Sequence, residues 1–428
     1  MRATVNVYGR RVRQARIMRK MTAKALAAEL GWPSAARLTR LEKSITSEIS
    51  TGELEAFTTI LRFPPRFFTT EPPMRIHASD LLFRAPQSTT KTEQEYLADF
   101  ASMVGEFLDE LHSRWQLPAV KVPMVDPSVP VAEAAGRVRD ALGVGRDEPI
   151  DYLTHNIEHA GVPIVMRRML AAATLRDGDG DGGAAASEKH LGYSTRVGEF
   201  KARPLIVVRQ STSWERTRWT LAHELGHLSL HWSGDVTEDK EEQASRFASE
   251  LLAPLAQVRK EVTRTPSLMS LVPVKQKWGI SIGALLRHLH TGGVLDDDRF
   301  RSLQKQLYQR VNPDTGRTWG RTEPGWDDRA VERPRLLSKW IELGFSVQSP
   351  QLLATYDLIF PGDILADFLV GQRPAPSTTS SPTASSAAAP SAPAVDTAAG
   401  SRGEDRGAGD GSADVIDFRR FQQRSRRA

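Results

Sequence analysis

The sequence contains no cysteine among its 428 residues. Disulfide bonds and metal sites built only from thiolates are therefore excluded. No stretch reaches the roughly 18 consecutive apolar residues that a membrane span needs, so we predict no membrane partner. The arginines near the N-terminus precede no apolar run, which argues against a secretory signal. Together these absences predict a cytoplasmic protein.

The remaining composition is that of a folded protein. Hydrophobic residues make up 40% of the chain and charged residues 25%, and the length suffices for two or three domains. The net charge of +5 is modest for 428 residues. The distribution of charge along the chain is therefore more informative than its total.

A candidate metal-binding motif lies in the middle of the chain, where residues 219–227 are Trp-Thr-Leu-Ala-His-Glu-Leu-Gly-His. On a helix, His223 and His227 are four residues apart and share one face. Zinc accepts neutral imidazole nitrogens, and two such ligands with a carboxylate leave a fourth position for water. Glu224 is placed to take a proton from that water.

A second helix, predicted over residues 238–252, supplies the carboxylate. Glu241 falls on its apolar face, where an unpaired carboxylate costs several kcal/mol, whereas Glu242 falls on its polar face. We therefore predict His223, His227 and Glu241 as ligands of one Zn²⁺ and Glu224 as the general base. His231 lies about 12 Å from His223 along the first helix, which is too far for a ligand of the same ion. The apolar stripe of the second helix comprises Ala244, Phe247, Ala248, Leu251 and Leu252.

These two segments, residues 218–228 and 241–254, resemble the ImmA/IrrE metallo-endopeptidase domain. The resemblance implies a zinc peptidase with the ligands and the base named above. Ser245 departs from the Asn or Asp that the family often has there, and we expect it to touch no ligand. Residues 277–285 also resemble the segment that follows the zinc helices in many ImmA/IrrE proteins.

The N-terminal residues 1–70 carry 13 Lys/Arg and 5 Glu, an excess of eight positive charges. We predict four helices here: Gly9 to Arg19, a second capped by Thr22 and ending at Leu30, a third capped by Ser34, and a fourth from Gly52 to Leu61. Short helices with a basic third helix favour a helix-turn-helix that enters the major groove of duplex DNA. A solvated basic face is the alternative. The predicted DNA contacts are Thr22, Lys24, Ser34, Arg37, Thr39, Arg40 and Lys43.

Residues 26–31 and 38–43 resemble an Xre-type repressor domain, and residues 63–68 resemble its usual exit. Two departures concern the strength of DNA binding. Ala23 stands where that family mostly has Gln, a common phosphate contact. One extra residue also precedes Ser34.

The remaining segments complete the predicted organisation. A long amphipathic helix over residues 92–115 is predicted to pack on its own chain, with a homodimer seam as the alternative. Helices over 131–142 and 150–160 and short strands over 162–166 and 204–208 belong to the peptidase domain. Residues 177–188 satisfy the spacing of an EF-hand loop, but a strand precedes them, so a flexible Gly/Asp loop is favoured. Residues 254–370 are predicted to be mostly helical.

The predicted fold class is α+β and mostly helical. It comprises an N-terminal helix-turn-helix bundle, a zincin-like domain with a small β-sheet, a helical C-terminal part and a disordered tail. The predicted domains are 1–72 (DNA binding), 73–125 (helical connector), 126–256 (metallopeptidase), 257–370 (helical extension) and 371–428 (low-complexity tail).

Two functions fit these predictions. In the first, a DNA-binding transcriptional regulator carries a zinc-dependent endopeptidase that cleaves a repressor or another regulatory protein. In the second, the regulator is not proteolytic, and its peptidase-like domain senses a ligand or partner. Intact ligands favour the first, and the fused DNA-binding domain keeps the second open.

Overall fold

The computed structural model describes residues 3–82, 90–167, 192–231, 236–346, 356 and 358–370. These residues are mostly helical and contain two small sheets. The predictions for the Gly/Asp loop 177–188 and for the tail 371–428 lie outside the described residues.

The N-terminal part is a helical bundle closed by a two-stranded sheet. Its elements are β1 (Thr4–Tyr8), α1 (Gly9–Met18), α2 (Ala23–Glu29), α3 (Ala35–Lys43), β2 (Thr46–Ser50), α4 (Thr51–Leu61) and α5 (Pro65–Thr69). Strands β1 and β2 pair antiparallel. The four predicted helices are present to within about two residues, but the sequence did not predict the strands. Each strand is only five residues long, and its partner is distant in sequence.

Helix capping in this part differs in one place from the prediction. The Thr22 hydroxyl accepts a hydrogen bond from the Ala25 amide at 3.0 Å, as predicted for a cap. Ser34 occupies the capping position of α3, but its side chain makes no capping hydrogen bond. Helix α4 begins at Thr51 with a reciprocal capping box between Ser50 and Glu53.

Helix α6 (Lys91–Arg114) packs on its own chain on two sides. On one side, the Glu106 and Glu95 carboxylates accept hydrogen bonds from Arg11 and Arg13 of α1. On the other side, the Leu97 carbonyl accepts a hydrogen bond from the Tyr193 hydroxyl at 3.1 Å. Its apolar stripe is thus buried within the chain.

The second sheet contains β3 (Ile164–Arg167), β4 (Gly192–Val197) and β5 (Arg203–Arg209) in the order β3-β5-β4. Strand β3 is parallel to β5, and β4 is antiparallel to it. The sequence predicted β3 and β5, which are apolar, but not the more polar β4. Strand β4 pairs with β5 on one side only in this three-stranded order, so it is an edge strand of the sheet.

Four helices pack beside this sheet: α7 (Val131–Ala141), α8 (Leu153–His159), α9 (Trp214–Leu230) and α10 (Glu238–Leu252). Helices α9 and α10 approach closely at Gly226, where a Cβ atom would lie 2.8 Å from the Phe247 ring. All five residues of the predicted apolar stripe of α10 are buried. The candidate metal ligands lie on these two helices.

The C-terminal part is less helical than predicted. Its helices are α11 (Leu255–Glu261), α12 (Leu268–Trp278), α13 (Ile282–Thr291), α14 (Asp297–Gln309), α15 (Leu336–Phe345) and α16 (Gly362–Phe368). Residues 310–335 form no helix, because proline and glycine recur through them. Two carboxylates hold this segment in place: Glu323 accepts hydrogen bonds from the first amides of α13, and Glu332 pairs with Arg218 of α9.

One aromatic cluster joins the two ends of the described chain. The Phe360 ring, just before α16, lies 6.4 Å from Phe67 of α5 and 6.3 Å from Phe107 of α6. Phe368 of α16 lies 5.5 Å from Phe100 of α6. The N-terminal helices therefore share one hydrophobic core with α6, α15 and α16.

Candidate metal centre

Helix α9 brings two imidazoles together at the surface of α10. The Ser213 hydroxyl caps the helix by accepting a hydrogen bond from the Arg216 amide at 3.2 Å. His223 and His227 lie one turn apart, and their Nε2 atoms are 3.1 Å from each other. Trp219 stacks on the His223 ring at a centroid distance of 4.9 Å. This stacking restrains the ring that points toward His227.

Helix α10 adds a carboxylate to the same point. The two oxygens of Glu241 lie 3.3 Å from Nε2 of His223 and 3.3 Å from Nε2 of His227. The three candidate ligand atoms lie within 4.8 Å of one another. The neighbouring Glu242 side chain is 59% exposed and pairs with Arg246. The two carboxylates are adjacent in sequence but lie on different faces of α10: Glu241 faces the imidazoles, and Glu242 faces solvent.

This donor set fits a small divalent cation. Ligands about 2.0–2.1 Å from a tetrahedral zinc ion lie about 3.3 Å from each other, close to the separations found here. Imidazole lone pairs and carboxylate oxygens at such distances repel one another unless a cation lies between them. His223, His227 and Glu241 would therefore hold the ion, and they leave a position for a further ligand.

The side of the His227 imidazole that faces away from the site is also hydrogen-bonded. Nδ1 of His227 lies 2.9 Å from Nδ1 of His231, and Nε2 of His231 lies 3.3 Å from Oε1 of Gln243. An amide oxygen only accepts, so a neutral His231 donates from Nε2 to Gln243, and its free Nδ1 accepts from Nδ1–H of His227. These bonds fix the tautomer of His227 that presents an unprotonated Nε2 to the site. Burial lowers the pKa of His227, and it lowers the pKa of His231 to about 4, so both rings are neutral at neutral pH.

Ser245 corrects one expectation. Its hydroxyl lies 3.4 Å from Nδ1 of His223, so it touches a candidate ligand that we expected it to avoid. His231 likewise makes a contact that the distance along the helix axis did not suggest. A ring can be out of reach of the metal position and still support a ligand from behind.

Glu224 lies beside the ligands in a buried position, 4% exposed. Its Oε2 accepts a hydrogen bond from the Ser194 hydroxyl of β4 at 2.9 Å. Burial raises the pKa of Glu224 well above its usual value, although the Ser194 bond opposes this effect. The neighbouring Gly192 packs tightly here, since an added Cβ would lie 3.1 Å from Glu224 Oε1.

Comparison with known proteins agrees with this geometry over part of the chain. Residues 182–290 match the IrrE N-terminal-like domain of the Peptidase_M78 family. This part of the chain is therefore similar to a peptidase family. The match covers about a quarter of the sequence and includes all four residues of the site. No curated protein matches the chain.

The seven predicted DNA contacts all lie on or beside α2 and α3. Six are exposed: Thr22, Lys24, Ser34, Arg37, Arg40 and Lys43. Thr39 is half-buried, and its hydroxyl donates to the Ala35 carbonyl at 3.0 Å. Arg37 pairs with Glu53 and lies 4.2 Å over the Trp32 ring. The positive charge of α3 that solvent can reach therefore belongs chiefly to Arg40 and Lys43.

Much of the remaining positive charge of the N-terminal part is internal. Arg11, Arg13, Arg16 and Arg19 of this part each bond to a carboxylate, and three of these acids lie outside residues 1–70. The excess of eight charges counted from the sequence therefore overstates the exposed charge. In the part of the chain that the structure describes, no helix is both long and apolar enough to cross a membrane.

Proposed function

We propose that this protein is a DNA-binding transcriptional regulator with a zinc-dependent endopeptidase domain that cleaves a regulatory protein such as a repressor. The observation that carries the enzymatic part is the convergence of two imidazole nitrogens and the Glu241 carboxylate beside the buried Glu224. The match of residues 182–290 to a peptidase family supports the same reaction class.

The residues have separate roles in peptide hydrolysis. A zinc ion held by His223, His227 and Glu241 would lower the pKa of a bound water to about 7 and polarise a peptide carbonyl. Glu224 accepts the proton of the attacking water and later gives it to the leaving amine. The Ser194 hydroxyl holds the Glu224 carboxylate in one orientation through a 2.9 Å hydrogen bond.

The experiment combines metal analysis with a cleavage assay on the full chain. Wild type should contain one zinc per chain and cleave a peptide library or a purified repressor. Glu224→Gln should retain the zinc and lose the cleavage, because only the base is altered. His223→Ala should lose both. Equal cleavage by wild type and Glu224→Gln would contradict the proposed reaction.

For the DNA-binding part, we propose that α2 and α3 contact duplex DNA. Supporting observations are the exposure of Lys24, Arg40 and Lys43 and the placement of six of the seven predicted contacts at the surface. The proposal accounts for three exposed basic side chains that pair with no carboxylate among the described residues.

A different form of the non-proteolytic alternative places the sensing site in the N-terminal part instead of in the peptidase-like domain. An open cleft of about 430 Å³ lies between α1, the end of α3, the segment after α5, and α6. Its walls include Arg10, Gln14, Lys43, Arg75 and Asp99. A small charged ligand in this cleft would contact the base of α3 directly. Wild-type protein that holds zinc but cleaves none of the offered substrates would favour this sensor function.

A further inference from the structure

Residues 80–82 of the protein itself lie along the outer side of β4, in the three-stranded sheet beside the candidate metal centre. The Leu82 amide donates to the Ser194 carbonyl of β4 at 2.7 Å, and the Ser194 amide donates to the Leu82 carbonyl at 3.4 Å. The pairing is antiparallel. The Leu82 backbone thereby forms hydrogen bonds with both the amide and the carbonyl of Ser194.

Further contacts hold the same piece against β4. The Thr195 hydroxyl donates to the Asp80 carbonyl at 2.9 Å. The Asp80 carboxylate pairs with Lys201, just after β4, at 2.9 Å. Leu81 and Leu82 are 3% and 6% exposed. The contact is therefore anchored by side chains as well as by the backbone.

The position matters because Ser194 connects the sheet edge to the catalytic carboxylate. Its backbone pairs with Leu82, while its hydroxyl bonds to Glu224. An extended peptide gains affinity by adding a strand to a sheet edge, where its main chain satisfies unpaired amides and carbonyls. Strand β4 is the edge strand that carries Ser194, and the Ser194 hydroxyl contacts Glu224. A peptide bound there could not pair with Ser194 while Leu82 does.

We propose that residues 80–82 act as an internal occupant of the peptide-binding edge and hold the peptidase in a low-activity state. Displacement of this segment opens β4 to an extended peptide that pairs antiparallel to it. The inference rests on the proposed peptidase function for the cleavage readout, but not for peptide binding.

The first test weakens the contact without altering the metal site. Thr195→Val with Lys201→Gln removes the hydrogen bond to Asp80 and the ion pair, and it leaves Leu82 in place. Leu82→Pro removes the amide that bonds to Ser194. We expect kcat/KM on a library peptide to rise about tenfold, the factor equivalent to about one net hydrogen bond. Lys277→Gln, which removes an exposed ion pair with Glu261, is the matched control and should change nothing.

The second test measures binding without cleavage. In the Glu224→Gln background, a fluorescein-labelled peptide with the sequence of residues 76–82 is titrated and followed by fluorescence anisotropy. The Thr195→Val/Lys201→Gln variant should bind it about tenfold more tightly than the parent. Tighter binding in this test, together with no cleavage by the Glu224-containing proteins of the first test, would support the inference and contradict the peptidase function. Unchanged binding, together with cleavage equal to wild type in both variants, would overturn the inference and leave the peptidase function intact. Zinc content and melting temperature identify a variant that has failed to fold.

Discussion

Glu241 and Glu242 are adjacent residues in different surroundings. The Glu241 oxygens lie 3.3 Å from two imidazole nitrogens, whereas Glu242 is 59% exposed and pairs with Arg246. We predict that Glu241→Ala weakens zinc affinity at least tenfold, because it removes a ligand. Glu242→Ala should change it little, since an exposed ion pair contributes little. Competition with a zinc-chelating dye gives both affinities. Equal losses in the two variants would contradict the assignment of the third ligand.

His231 supports His227 from behind through the 2.9 Å contact between their Nδ1 atoms. We predict that His231→Ala lowers zinc affinity by about 10–100-fold, the usual effect of losing a hydrogen bond to a metal-bound histidine. Gln243→Leu should cause a smaller loss, because Gln243 acts only through His231. The tautomer of His227, followed by NMR of the imidazole nitrogens, should become mixed in His231→Ala. An unchanged tautomer would show that His231 only fills space.

At the scale of elements, α1 and α3 use their arginines differently. Arg11 and Arg13 of α1 bond to α6, Arg11 also bonds to carbonyls after α5, and Arg16 pairs with Glu42 of α3. These bonds stabilise packing between helices. Arg40 and Lys43 of α3 are exposed and form no ion pair among the described residues. Deleting residues 1–70 would leave Glu106 without Arg11 and expose the rings of α6. Point substitutions on α3 are therefore the sharper test of DNA binding.

We predict that Arg40→Ala weakens binding to duplex DNA and reduces the salt dependence of log K by about one, as expected for a lost phosphate contact. Arg37→Ala should have a smaller effect, because Glu53 already pairs with Arg37. Arg146→Ala is the control, because Arg146 is exposed, lies far from α3 in sequence and pairs with Asp140. Fluorescence anisotropy over a range of salt concentrations gives the slopes. Identical slopes for Arg40→Ala and the control would argue for a merely solvated basic face.

At the scale of the whole molecule, the predicted domain boundaries cross a continuous core. The Phe67 and Phe107 rings come from segments far apart in sequence, and both contact the Phe360 ring. Tyr193 and Val197 of β4 belong to the same cluster as the N-terminal helices. Residues near the metal centre and near the predicted DNA surface are thus parts of one packed unit.

We predict that Phe360→Ala destabilises this unit by about 3–5 kcal/mol, the usual cost of removing a buried phenylalanine ring. Calorimetry should show one transition at a lower temperature, and zinc release should coincide with it. Phe300→Ala, which removes a half-buried ring stacked on His290 outside this cluster, is the control and should cause a smaller loss. Two transitions, of which only one shifts, would support an independent N-terminal domain.

The sequence by itself determined the features that depend on local periodicity. The four-residue spacing of His223 and His227 and the position of Glu241 on an apolar face follow from 3.6 residues per helical turn. The boundaries of α2 and α4 follow from their Thr22 and Ser50 caps and from the glycine and prolines that come after them. Each of these signals acts over a few residues, so a short stretch of sequence suffices to predict it.

Only the tertiary structure decided which distant segments meet. The β1–β2 pair, the edge strand β4 and the contact of Ser194 with Glu224 join residues that are many positions apart. The contact between His231 and His227 depends on ring orientation, and the Phe360 cluster depends on how the helices pack. Hydrophobic burial favours contact in general but does not select partners, so these pairings follow from the packing of the whole chain.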